Sequence, residues 1–135
     1  MSPRCNVVIR YNDTALLFYR HIDGYPQKII PILHKFLSTP NLRNNDIQSS
    51  GWLIVIGREE MLEDHKALES KYGPADYDYR GKVGYFELTC SIQPDIDYIY
   101  IVDMVNSTIS AYNADPDIDS WQEYLKLRKI EVSSK

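Results

Sequence analysis

The chain opens on an alternation of apolar and polar positions. Val7 and Ile9 fall on one side of an extended backbone, with Asn6, Val8 and Arg10 on the other, which predicts a first strand. Tyr11-Asn12-Asp13-Thr14 follows with turn chemistry, since Asn and Asp accept local backbone hydrogen bonds and tolerate left-handed dihedrals. Residues 15–21 are then apolar on both faces, Leu16 and Phe18 against Ala15, Leu17 and Tyr19, the pattern of a strand buried on both sides. Together these segments predict an N-terminal hairpin.

Asp23-Gly24-Tyr25-Pro26 is the sharpest punctuation in the chain. Gly24 permits a positive φ, Asp23 can accept bonds from the following amides, and Pro26 suits the first turn of a helix. Over 27–37, Ile29, Ile30, Leu33 and Leu37 recur at helical spacing. Pro31 lies early enough in that helix to cost a single intrahelical bond, and Ser38-Thr39-Pro40-Asn41 ends it. Trp52-Leu53-Ile54-Val55-Ile56 reads two ways. Its β-branched content suits a buried strand, and it equally fits the second half of a buried helix that begins near Asn44-Asn45-Asp46 and ends at Gly57. Periodicity does not separate the two.

A helix is predicted over 58–72, where Met61, Leu62, His65, Leu68 and Tyr72 share a face and Gly73-Pro74 supplies the stop. A polar, tyrosine-rich loop over 75–82 leads into strands over 83–89, 98–103 and 108–112, the last two joined by a turn at Asn106-Ser107. A C-terminal helix is predicted over 118–130. Ser120 and Glu123 have capping-box spacing, Asp117 and Asp119 suit its positive end, and Trp121, Tyr124, Leu125 and Leu127 form its apolar side. The order predicts one α+β domain over 1–135. Its expected sheet is antiparallel with about five strands, the N-terminal hairpin plus a C-terminal three-strand meander, and its helices pack mainly on one face.

Composition narrows the function classes. With 44% hydrophobic and 25% charged residues over 135 positions, the chain can bury a core. No run approaches the roughly 18 apolar residues of a membrane span, and the N-terminus lacks an apolar signal core, so a cytoplasmic protein is expected. Two cysteines, Cys5 and Cys90, are too few for a disulfide framework. A net charge of −4 and a pI of about 5.3 argue against general affinity for DNA or RNA. Eleven tyrosines, with Tyr72, Tyr77 and Tyr79 in or beside a loop, favour a protein partner or a homodimer. A sheet ending in 108–112 would leave an edge strand for such a two-fold contact.

The densest polar cluster is Arg20-His21-Ile22-Asp23-Gly24-Tyr25, where a strand gives way to a helix. As a catalytic site it would use His21 as proton carrier, Asp23 to orient it and Arg20 to hold an anion. As a binding site, Arg20, His21, Asp23 and Tyr25 would contact a ligand or partner. As plain structure, Asp23 bonds its own turn and His21 a nearby carbonyl. Asp95 and Asp97 form a second candidate, able to bind a cation, to contact a ligand or partner, or to work as an acid–base pair, or else to end a turn and open a strand.

Metal binding is not expected: His21, His34 and His65 lack ligand spacing and neither cysteine has a near neighbour. Asp115-Pro116-Asp117-Ile118-Asp119 begins like a calcium loop, but Ser120 replaces the glycine and Lys126 the bidentate glutamate. No phosphate loop or nucleophile elbow is present, so no cofactor is expected.

Tyr19-Arg20-His21-Ile22-Asp23-Gly24-Tyr25-Pro26 resembles the Tyr-x-His-x-Asp-Gly-Tyr-Pro signature of a family of small uncharacterised bacteriophage and prophage proteins. Gly51-Trp52-Leu53-Ile54-Val55-Ile56-Gly57 is similar to a Gly-Trp-Leu-Ile segment of that family, and Asp95-Ile96-Asp97-Tyr98-Ile99-Tyr100 to an Asp-Ile-Glu-Tyr-Leu-Tyr segment, in the same order. The chain departs from the family pattern over 58–82, which reads as an insertion, and in its helical tail. The resemblance tips 46–57 towards helix. It implies a phage-derived accessory protein in the host cytoplasm, with no established activity to carry over. The expected function is non-enzymatic binding of a host or defence protein or of a small ligand. The alternatives are a small hydrolase or nucleotide-processing enzyme using His21 and Asp23, and a minor virion component.

Overall fold

The computed structural model describes residues 3–11, 14–38, 50–72, 86–91, 95–114 and 129–130. Its elements are β1 (Cys5–Tyr11), β2 (Thr14–Arg20), α1 (Pro26–Leu37), α2 (Trp52–Tyr72), β3 (Phe86–Thr89), β4 (Tyr98–Asp103), β5 (Thr108–Asn113) and β6 (Lys129–Ile130). The fold is α+β. β1 and β2 form the expected hairpin, in register from Cys5 opposite Arg20 to Tyr11 opposite Thr14.

The sheet is mixed rather than antiparallel. Its strand order is β3-β2-β1-β4-β5-β6, and β4 lies parallel to β1, with Cys5 opposite Tyr98 and Arg10 opposite Asp103. The expected three-strand meander is therefore corrected: β4 and β5 pair as predicted, but β3 pairs with β2 at the far edge. Burial explains the arrangement. Cys5 to Ile9 of β1 and Ile99 to Val102 of β4 are buried on both faces, which suits the two central, parallel strands. Phe86-Glu87-Leu88-Thr89, half polar and with Leu88 exposed, tolerates an edge. β2, one strand in from that edge, is mostly half-buried rather than buried on both sides.

The helices cover one face. Cys5, Val7, Ile9, Phe18, Tyr100, Val102 and Ala111 of the sheet pack there with Ile29, Ile32, Leu33 and Phe36 of α1 and Leu53 and Ile56 of α2. The buried stripe of α1 is rotated from the predicted one: Ile32 and Phe36 replace Ile30 and Leu37, which are partly buried. The opposite face holds a second cluster of Val8, Ile99, Ile101 and Tyr112, joined by Ile96 just before β4.

Trp52-Leu53-Ile54-Val55-Ile56 is helical, and α2 continues through Gly57 and past Arg58 without a break. Gly57 stays in the helix because the Phe86 ring rests against it. A Cβ there would sit 2.9 Å from Phe86 Cε2 and closer still to Cδ2. In an open helix Gly→Ala would gain about 1 kcal/mol. Here Gly57→Ala is expected to cost about 1–2 kcal/mol, the overpacking range, and the sign should reverse in a Phe86→Leu background. Urea melts of the four variants check this.

Two further expectations change at the C-terminal end. Lys129 and Ile130 pair with Tyr112 and Ala111, so the helix predicted over 118–130 does not reach its expected end, and the sheet continues past β5 at these two residues rather than ending at β5. The turn at Asn12-Asp13, the stops at Thr39-Pro40 and Gly73-Pro74, the helix start at 44–46, the loop over 75–82 with Tyr77 and Tyr79, the strand start at 83–85, and the segment 115–128 lie outside the described residues.

Candidate functional site

Where β2 ends, the alternation of a strand sends successive side chains to opposite faces, and the Arg20–Tyr25 cluster divides accordingly. Arg20 turns under the helices. It is 1% exposed, with its guanidinium 5.0 Å from the Phe86 ring centroid. Nε donates to the Ile22 carbonyl at 2.8 Å, and Nη2 donates to Glu60 Oε1 of α2 at 3.3 Å. The other Glu60 oxygen is ion-paired with Lys28 of α1. Nη1 is buried and has no hydrogen-bond partner among the described residues. The anion predicted for Arg20 is thus the molecule's own Glu60, and Arg20 does not share a site with His21.

His21 lies half-buried on the other face, its Nδ1 hydrogen-bonded to the Tyr19 hydroxyl at 2.8 Å. Tyr19 and His21 stand two residues apart, the spacing that puts strand side chains on one face. Asp23 and Tyr25 are half-buried. Asp23, not Gly24, carries the positive φ, at 56°. Tyr25 is extended and precedes Pro26 at the start of α1, and its carbonyl accepts from the amides of Lys28 and Ile29, each at 3.0 Å.

Gly24 is required for a different reason. Its amide donates to the Pro3 carbonyl at 2.9 Å, and its carbonyl accepts from the Tyr100 hydroxyl at 2.7 Å. A Cβ on Gly24 would lie 2.9 Å from the Arg4 carbonyl carbon and 3.0 Å from both N and Cβ of Cys5. The turn is pressed flat against the first residues of β1.

The second predicted cluster meets the first through Arg4. Its guanidinium is ion-paired with Asp95, and its amide donates to Asp97 Oδ2 at 3.2 Å. Its carbonyl accepts from the amides of Asp97 at 2.8 Å and Tyr98 at 3.3 Å. Asp95 and Asp97 are both exposed. Burial raises the Tyr19 hydroxyl above its ordinary range, while Arg4 pulls it down and Asp95 and Glu87 push it up. Tyr19, His21, Arg4, Asp95 and Asp97 therefore gather at one end of the sheet. Arg4, Tyr19 and Glu60 are not among the candidate site residues read from sequence. The spacing of Tyr19 and His21 could have found the first pair, but nothing local signals Arg4, whose partners follow from the parallel register of β1 and β4.

Among the described residues, no group of three or more His, Cys, Asp or Glu side chains is placed to hold a metal ion, and no helix is long and apolar enough to cross a membrane. The Cys5 thiol, buried beside Arg20, is pushed up to about 12 by burial, against a smaller downward pull from Arg20. Burial likewise raises the Tyr100 hydroxyl. A group whose proton is held more tightly in the folded chain supports the fold below its unfolded value and withdraws that support as pH rises towards the folded one. Stability is therefore expected to fall above about pH 9 by about 1.4 kcal/mol per pH unit for each such proton, and Cys5→Ala should flatten the slope. Cys90 is exposed, so a thiol reagent at neutral pH should label it in the native chain and reach Cys5 only on unfolding.

No family model, curated protein or solved structure matches the chain.

Proposed function

We propose that this chain is a non-enzymatic accessory binding protein of phage type, working in the host cytoplasm, and that it meets a host protein or small ligand at the sheet end formed by β1, β2 and β4. The observation that carries this reading is Arg4, which is ion-paired with Asp95 and bonded through its amide to Asp97 and lies close enough to Tyr19 to act on its hydroxyl, the group that in turn holds His21. Asp95 keeps 65% of its side chain exposed while paired to Arg4, and Asp97 is exposed beside it. Such a surface favours a partner that presents lysine, arginine or amide donors. The Arg20–Glu60 pair serves the reading from beneath, tying the turn to α2.

A second reading, a small hydrolase or nucleotide-processing enzyme with His21 as proton carrier and Asp23 as its orienting group, draws support from the Tyr19 hydrogen bond, which fixes the imidazole ring. Affinity capture from host lysate, run beside a nucleotide binding and turnover screen, tests both. The binding reading expects a partner or ligand held by the wild type and lost in His21→Ala and Asp95→Ala, with their melting curves little changed. Turnover abolished by His21→Ala in a folded chain would transfer the function to the enzyme. Finding no partner, ligand or turnover would remove both, and detection of the chain in purified virions would make it a structural component.

A further inference from the structure

The outward side of α2 carries a pattern that the sheet-end reading leaves unused. Val55 and Leu62 lie seven residues apart on one stripe and are 43% and 38% exposed, although Leu53 and Ile56 of the same helix are buried. Beside Leu62, α2 lines a groove of about 510 Å³ against Pro31 and Ile32 of α1. Glu59 and Lys66 line that groove too. Both are exposed, and neither has an ion-pair partner among the described residues. Seven residues of helix separate them by about 10 Å, so they cannot pair with each other. They do flank Leu62 on the same side of the helix, one a turn before it and one a turn after.

Read along one stripe, the order Glu59, Leu62, Lys66 is complementary to itself when reversed, while the acid Glu63 lies about 100° round the helix from Leu62, towards the α1 side of the groove. The geometry points to antiparallel packing of α2 against α2 of a second copy of this chain, across a two-fold axis at Leu62. Rotation about that axis sets the two Leu62 side chains together and places Glu59 of each copy against Lys66 of the other, on the same flank and at both ends of the contact. Val55 then covers the last turns of the opposite helix, near Ser70. Helices pack in this way at interaxial distances of about 8–10 Å, and the two-fold axis makes each ion pair appear twice. The surface is separate from the edge at β5, which β6 occupies, and separate from the sheet end proposed for partner binding.

Charge reversal tests the register itself. In light scattering over the micromolar range, the wild type is expected to show a two-chain mass. Glu59→Lys should weaken the dimer at least tenfold, as should Lys66→Glu, while the double variant carrying both restores it, because each new lysine again faces a new glutamate. In a Cys90→Ser background, Leu62→Cys should cross-link to itself under mild oxidation. These positions are on the helix surface, and circular dichroism confirms that each variant is folded. A single-chain mass for the wild type, a dimer indifferent to Glu59→Lys, or a double variant that stays monomeric would each overturn the inference.

Discussion

Gly24→Val is expected to destabilise the chain by about 3 kcal/mol, the upper part of the overpacking range. The added Cβ would fall 2.9 Å from the Arg4 carbonyl carbon and 3.0 Å from the Cys5 nitrogen, and backbone atoms at the start of a central strand have nowhere to go. Relief would require the turn to lift from β1, with loss of the bonds to the Pro3 carbonyl and from the Tyr100 hydroxyl. The cause is separable from a dihedral requirement. A glycine needed for positive φ is replaced tolerably by asparagine, which visits that region more readily than other side chains. A glycine needed for close approach rejects every side chain, so Gly24→Ala and Gly24→Asn should both be costly. His21→Ala, one hydrogen bond on a half-buried ring, should cost only about 1 kcal/mol. Denaturant melts of the four variants decide it: an asparagine variant as stable as wild type would restore the dihedral explanation.

The second large effect concerns Glu60. Arg20 is buried, with Glu60 as its carboxylate partner, so Glu60→Ala leaves a guanidinium out of water without its counter-charge. Removing one partner of a buried pair costs about 3–5 kcal/mol. Glu60 keeps 22% of its side chain exposed, so solvent screens part of this, and a loss of about 2–3 kcal/mol is expected. Lys28 loses an ion pair in the same step. Replacing both partners by apolar side chains, Arg20→Met with Glu60→Leu, should recover most of the loss, since the desolvation of the charges disappears with the charges. A Glu60→Ala chain that melts like the wild type would show that α2 is not held by this pair.

The two effects show where sequence reading succeeds and where it stops. The hairpin, the break at Asp23-Gly24-Tyr25-Pro26, α1 and the strand pair β4–β5 are local, and alternation, helical spacing and turn residues predict them. Periodicity alone leaves Trp52-Leu53-Ile54-Val55-Ile56 undecided, because five apolar residues fit either period. What makes it helix is the chain beyond it, continuous through a glycine whose purpose lies on β3. The parallel pairing of β1 with β4 has no local signature, and with it went Arg4, the residue that joins the two polar clusters. Arg20 and His21 looked like one constellation because they are adjacent in sequence. On a strand, adjacency means opposite faces, so that part was legible from the same alternation that predicted the strand.

The central position of β1 sets a timetable for biosynthesis. Among the described strands β1 is the first to leave the ribosome and its parallel neighbour β4 the fourth, and the residues that lock them, Arg4 and Asp97, are 93 apart in sequence. The hairpin and α1 can form early, but the nascent chain must carry the open side of β1, with its unpaired amides and carbonyls, until residue 103 has emerged. Closing so long a loop is paid in chain entropy before any contact returns it. Refolding from denaturant should accordingly be slow, in the range of about milliseconds to seconds typical of non-local sheets. Chains truncated before β4 should aggregate through that open edge, whereas the full chain should stay in solution.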